Sequence, residues 1–248
     1  MRIERMQWAG MVVSVEGVKV MVDPVYESPS SSFFGTKRDP FFPLIEYGKP
    51  DVIAITHLHS DHFDAPSILQ DFGSEIPIYI PREAVREVEE KGFKHVTGLT
   101  AGQSVKIKGI ELLATHSVDG LGDPQVAWII KGEGKTLLHS GDTLWHGYWW
   151  KMRERYGPFD VVCLPINGAI VQEEGLTPSG LPICMVPEQA ASAAAILEAR
   201  TLIPIHYGSF HNPPVYLETP HAVDRLKSAL SKTAIQLVQL NSKESLTF

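Results

Sequence analysis

Three histidines and an aspartate fall within six residues in Thr56-His57-Leu58-His59-Ser60-Asp61-His62. The segment ends the apolar run Val52-Ile53-Ala54-Ile55, which reads as a strand. Neutral imidazole offers a lone pair to a divalent cation near neutral pH, and a carboxylate adds charge. The two-residue spacing of His57 and His59 lets both rings converge where a strand opens into a loop. Asp61 and His62 follow at once and can face a second ion.

Three further residues repeat this placement. His116 ends Leu112-Leu113-Ala114-Thr115, Asp142 follows Thr136-Leu137-Leu138 in His139-Ser140-Gly141-Asp142, and His206 closes Leu202-Ile203-Pro204-Ile205. Each stands directly after a hydrophobic strand that can hold it rigidly at a sheet edge. Taken singly, such a residue commonly caps or satisfies backbone groups. Their recurrence after the first cluster points to metal ligands.

In this order the motifs resemble the metallo-β-lactamase superfamily: HxHxDH, a lone His, an Asp after Gly, then His in a Pro-x-His-x-Gly setting. The start Trp8-Ala9-Gly10 through Val20-Met21-Val22-Asp23-Pro24, the segment Cys163-Leu164-Pro165-Ile166-Asn167-Gly168 and the helix opening Met185-Val186-Pro187-Glu188-Gln189 are similar to its small single-domain branch, the ascorbate-6-phosphate lactonase-like hydrolases. The resemblance implies an α/β fold of αββα type, two sheets face to face with helices outside, spanning residues 1–248 as one domain. It places His57, His59 and His116 on one metal and Asp61, His62 and His206 on a second, with Asp142 bridging. Two ions roughly 3.5–4 Å apart would share a hydroxide, since a metal brings the pKa of bound water from 15.7 towards ~7. Asp61 would aim that hydroxide, and no protein nucleophile is required. Zinc is the expected ion because the donors are mainly imidazole, with manganese or iron also suited to them.

Composition is that of an intracellular, cytoplasmic enzyme. At 44% hydrophobic, 248 residues can bury a sizeable core, and a net charge of −7 without a long basic run argues against nucleic acid as the partner. No stretch approaches the ~20 apolar residues of a membrane span, and no signal peptide is apparent at the N-terminus. The two cysteines, Cys163 and Cys184, form no CxxC pair and read as reduced thiols.

The elements that position the ligands can be sketched from pattern. Residues 11–22 read as a hairpin turned at Glu16-Gly17, 65–72 as a short helix, 76–80 as a strand and 81–91 as a helix. Short strands follow over 96–114, a hairpin over 126–138, a helix over 149–156 and a strand over 160–165. Helices are expected over 187–199 and 220–231, and a last strand over 235–240.

Other residues leave alternatives open. Asp23 either caps a turn before Pro24 or, on the resemblance, lies near the ligands. His211 either protonates a leaving group as a catalytic acid or is a loop histidine. Trp145, His146, Tyr148, Trp149 and Trp150 suit core packing, a pocket wall or a subunit contact. The loop over 26–47 carries Phe33, Phe34, Phe41 and Phe42 beside Lys37 and Arg38, which suits a wall over a small amphipathic or phosphorylated substrate, or the contact of a homo-oligomer.

The leading function is a metal-dependent hydrolase cleaving a lactone, ester or phosphoester of a small metabolite. A nuclease or phosphodiesterase of the same superfamily is the chemical alternative. Gaps of 26 residues from His116 to Asp142 and 64 from Asp142 to His206 leave little room for the inserted domain of RNA-processing members. A metal-binding protein without turnover is the alternative outside enzymology.

Overall fold

In the computed structural model, which describes residues 1–27 and 29–248, the chain begins with strands β1 (Arg2–Arg5), β2 (Met11–Val15) and β3 (Val18–Val22). Strands β4 (Val52–Ala54), β5 (Ile78–Pro81) and β6 (Val96–Leu99) follow, then β7 (Ser104–Ile107), β8 (Ile110–His116), β9 (Val126–Gly132), β10 (Lys135–His139) and β11 (Val161–Pro165). The remainder are β12 (Ile170–Val171), β13 (Thr201–Ile205), β14 (Tyr216–Leu217), β15 (Gln236–Leu237) and β16 (Ser245–Thr247). Helices are α1 (Ser31–Phe34), α2 (Ala65–Phe72), α3 (Val85–Glu90), α4 (Trp149–Tyr156), α5 (Pro187–Ile196) and α6 (Ala222–Leu230). One seven-stranded sheet runs β16-β1-β2-β3-β4-β5-β6 and the other β15-β13-β11-β10-β9-β8-β7.

The period-2 alternation of strand side chains explains why the layers stack as they do. Met11, Val13, Val20 and Val22 of the first sheet face Leu112, Trp128, Ile130, Val161 and Ile203 of the second in a shared interior. The alternate residues Val12, Met21 and Ile53 point outward against Ile68 and Phe72 of α2 and Val88 of α3. On the far side Ile129, Val162 and Leu202 pack against Met152 of α4, Ala193 and Ala194 of α5 and Leu226 of α6. The result is the αββα order. Cys163 lies on the inter-sheet face, and burial pushes its thiol up to about 12. No helix among the described residues is long and apolar enough to cross a membrane.

Several boundaries differ from expectation. The strand expected over 76–80 is Ile78–Pro81, and the helix expected over 81–91 opens as a 3₁₀ turn, Arg82–Ala84, because Pro81 stays extended. The strand expected over 235–240 pairs only through Gln236 and Leu237 with Thr201 and Leu202. Outside the elements foreseen, the N-terminal strand β1 pairs with both β2 and β16.

Of the four phenylalanines in the aromatic loop, Phe33 and Phe42 stay half-buried while the other two are drawn into the interior. Phe34 and Phe41 are buried in the inter-sheet core, where Phe34 packs 5.2 Å from Phe210 and 5.1 Å from Tyr216. Ser28 of this loop lies outside the described residues. Phe34→Ala is expected to cost about 3 kcal/mol of stability, the range for emptying a buried aromatic site. A shift of the urea midpoint at constant slope checks it, and an unchanged midpoint would contradict the packing role.

Candidate metal centre

The ligand residues lie on loops leaving the ends of β4, β10 and β13. After β4 the chain turns tightly: the His62 and Phe63 N–H groups both donate to the His59 carbonyl at 2.9 Å. Asp64 then caps α2, accepting from Ser67 N–H at 3.1 Å and from the Tyr26 and Glu27 N–H groups at 2.9 and 2.7 Å. This one carboxylate ties the aromatic loop to the ligand turn. Asp142 follows Gly141, whose φ of +65° and closeness to Thr56 (3.0 Å from a hypothetical Cβ to Oγ1) leave room only for glycine.

Two groups of donors result. Ligand atoms of His57, His59, Asp119 and Asp142 lie within 4.8 Å of one another, as do those of Asp61, His62 and His206. Asp142 faces both: Oδ1 is 3.7 Å from His57 Nε2, while Oδ2 is 4.0 Å from His62 Nε2 and 3.9 Å from His206 Nε2. His57, Asp61, His62, Asp142 and His206 are buried. His62 Nε2, Asp142 Oδ1 and His206 Nδ1 are buried with no hydrogen-bond partner among the described residues. Such atoms are costly unless something pairs with them, and imidazole nitrogens and a carboxylate oxygen are what a divalent cation accepts. The donor set fits a metal.

The surrounding residues fix which nitrogen points inward. Asp23 accepts from Thr56 N–H at 2.8 Å, from Thr56 Oγ1–H at 2.7 Å and from His62 Nδ1–H at 2.8 Å. With its hydroxyl hydrogen committed to Asp23, Thr56 Oγ1 accepts from His57 Nδ1–H at 3.0 Å. Both rings therefore turn Nε2 towards the site, the usual carboxylate-supported arrangement of ligand histidines. Of the two readings of Asp23, the structure places it against the ligands. Trp8 Nε1–H donates to Asp61 Oδ2 at 2.9 Å, and the indole lies 4.1 Å from the His206 ring. Trp8, Asp23 and His206 all have left-handed backbone, with φ of 54°, 46° and 54°. Non-glycine strain of this kind costs roughly 1–3 kcal/mol per residue and collects at functional sites.

Electrostatics follow from burial and mixed charge. Burial pushes His57 well below its ordinary value, with His62 and His59 adding to the effect. Burial acts the same way on His62, but the carboxylates of Asp61, Asp23 and Asp142 outweigh it and raise His62 to about 10. Burial would raise Asp61, yet His62 and His206 hold it below the usual carboxylate range. Asp142 is raised by burial. A cation entering here takes the place of protons on these donors.

His116 departs from the expected arrangement. It is not in either donor group: its ring stacks on Tyr148 at 3.8 Å and 10°, at the edge of α4. Asp119 stands in the first group instead, held by Leu121 and Asp123 N–H donors at 2.7 and 3.0 Å. His59 meanwhile bonds Asp123 at 2.7 Å through Nε2 and His57 Nε2 at 2.9 Å through Nδ1. His211 is likewise outside both groups. Its Nδ1 accepts from Glu218 N–H at 3.2 Å, and it lines a cavity with Arg38, Tyr207 and His221. His139 donates to the Ala9 carbonyl at 2.8 Å and is a packing residue.

Comparison with known proteins bears on the family and the fold. The family profile of the beta-lactamase superfamily domain matches residues 18–207. A UPF0173 metal-dependent hydrolase from Ignicoccus hospitalis is 30% identical over 246 residues, covering 95% of this chain and 93% of that protein. N-acyl-phosphatidylethanolamine-hydrolyzing phospholipase D 1 from Caenorhabditis elegans is 29% identical over 233 residues, 82% of this chain and 63% of its own length. Among solved structures Igni18, a metallo hydrolase from Ignicoccus hospitalis, has a TM-score of 0.77 at 24% identity, covering 100% of this chain and 97% of its own. At that identity the likeness bears on fold alone.

Proposed function

Since the chain belongs to the metallo-β-lactamase superfamily and is a metal-dependent hydrolase of it, we propose that it cleaves a lactone, ester or phosphoester of a small metabolite at a centre for two divalent cations. The observation carrying this reading is that the two oxygens of Asp142 face two separate donor groups. His57, His59 and Asp142 would hold one cation, and Asp61, His62 and His206 the other, with Asp142 shared. Zinc suits the imidazole-rich set. When bound, such cations supply Lewis acidity and a water acidic enough to act as nucleophile near neutral pH.

The chain's own residues divide the remaining work. Asp23 and Thr56 hold His62 and His57 with Nε2 inward. Trp8 holds Asp61, whose second oxygen is left to accept a hydrogen bond from the attacking water and so aim it. Burial of the group keeps bulk water from competing for these donors.

For the remaining donor of the first group the geometry favours Asp119, whereas the family resemblance points to His116. Asp119→Asn is expected to lower metal affinity about ten-fold or more, and His116→Ala to leave both cations in place. Chelator competition reads both. Loss of one cation in the histidine variant alone would return His116 to the ligand set.

The likeness to a phospholipase D named for hydrolysing N-acyl-phosphatidylethanolamine supports a second reading, in which the scissile bond is a phosphodiester. A panel of lactones, carboxylic esters and phosphodiesters assayed with metal-loaded protein tests the proposal. Turnover of at least one class, lost on chelation and restored by metal, is expected; metal-independent or absent turnover would overturn it.

A further inference from the structure

Two cations on α4 stand without acidic partners among the described residues. Lys151 and Arg155 are one helical turn apart and so share a face. Arg153 between them points elsewhere and pairs with Glu198 at 2.6 Å. Neither Lys151 nor Arg155 has such an ion pair among the described residues, although acidic residues outnumber basic ones by 29 to 22 in the whole chain. Both line a cavity of about 450 Å³ with His116, Glu154 and Tyr156. Arg155 lies 5.5 Å from the Tyr156 ring centre, and Lys131 approaches the same ring at 5.7 Å, adding a third positive charge.

His116 is common to this cavity and a second one. That neighbouring hollow includes Asp123, and Asp123 bonds His59. The adjoining His146 ring stacks on Trp149 at 4.0 Å and accepts from Tyr148 N–H through Nδ1, so its Nε2 carries the hydrogen. That Nε2–H is buried and has no acceptor among the described residues. Tyr148 and Trp150 beside it are exposed at 40% and 57%, an apolar surface next to the charges.

We propose that Lys151 and Arg155, with His116 and Tyr148 beside them, form a subsite for an anionic oxygen group, a phosphate or a carboxylate, on the part of the substrate away from the scissile bond. Resting on the hydrolase reading, this makes the substrate an anionic ester or lactone. Paired cations with free N–H donors recognise such a group through charge-assisted hydrogen bonds, and the aromatic edge takes the adjoining apolar part. Glu154 at the rim opposes a second negative charge there and favours a singly anchored group.

The test uses metal-loaded protein and two ligands that cannot be hydrolysed, benzylphosphonate and phenylacetate, titrated by calorimetry into wild type and the Lys151→Ala/Arg155→Ala variant. Binding of the preferred anion is expected to weaken about ten-fold or more in the variant. Whichever of the two binds more tightly to wild type identifies phosphate or carboxylate as the group. In parallel, the KM for mono-4-nitrophenyl glutarate, which is anionic, should rise at least about ten-fold relative to that for neutral 4-nitrophenyl acetate. Equal binding of both anions by wild type and variant would overturn the subsite, since the cations of the centre would then be the anchor. Weakened binding in a protein that turns over none of the lactones, carboxylic esters and phosphodiesters of the panel would keep the subsite and overturn the hydrolase reading.

Discussion

Asp142→Asn is expected to reduce hydrolysis by about 10³-fold or more while leaving the chain folded. The rate effect follows from position: one carboxylate presents its two oxygens to both donor groups, and its charge would hold the pair of cations together. Lewis-acid stabilisation is worth several kcal/mol, and each 1.36 kcal/mol is about a factor of ten. The effect on the fold runs the other way. Burial raises the Asp142 pKa, so the metal-free folded state holds this proton more tightly than the unfolded chain does. A group raised in this way contributes stability at low pH and loses it as pH rises through its folded value. At neutral pH the unmetallated carboxylate therefore weighs against folding, and the neutral amide relieves it. The metal-free variant should melt at or above the temperature of metal-free wild type, a trade of stability for function. A variant that melts well below wild type, or retains near-normal turnover, would contradict this account.

Asp23→Asn should weaken metal binding by about 10- to 100-fold without touching a ligand. The carboxylate accepts three hydrogen bonds, one from the Thr56 backbone and two, through its other oxygen, from Thr56 Oγ1 and His62 Nδ1. An amide keeps an oxygen at only one of those two positions. If the side facing His62 becomes NH₂, Nδ1 must turn acceptor and the ring proton moves to Nε2, the atom needed by the metal. In the opposite orientation the buried Thr56 N–H loses its acceptor and the ligand loop is loosened. Chelator competition at fixed pH measures the change. Wild-type affinity in the variant would reduce Asp23 to the turn-capping role that its place before Pro24 also allows.

How much of this was readable from sequence depends on the range of the interaction. His57, His59, Asp61 and His62 sit within six residues, and Asp142 and His206 each follow a recognisable strand. Those are local signals. The layer order was not local: strands such as Val161–Pro165 are buried on both faces, so periodicity does not tell which side meets a helix and which meets another sheet. The αββα expectation came from family likeness, and the three packed interiors agree with it.

Asp119 was missed because it lies in Ser117-Val118-Asp119-Gly120-Leu121-Gly122-Asp123, which reads as a solvent loop. The available signal was the turn-forming Asp with glycines after it, since its carboxylate accepts from the N–H groups two and four residues on. Trp8 was legible as a motif residue but not as the partner of Asp61, a contact spanning 53 positions. The placement of His116 depends on α4, which brings Tyr148 over its ring from 32 residues away. The burial of two aromatic side chains in the loop over 26–47 was hidden for a related reason. The loop's composition suits a wall or a subunit contact alike, but Asp64 and the inter-sheet core draw Phe34 and Phe41 inward.

Metal stoichiometry of the freshly purified protein tests the central claim most directly. Elemental analysis should find two divalent cations per chain, with loss in a His57→Ala/Asp142→Ala variant that remains folded. A single ion per chain, or two ions retained by that variant, would contradict a shared centre built on Asp142.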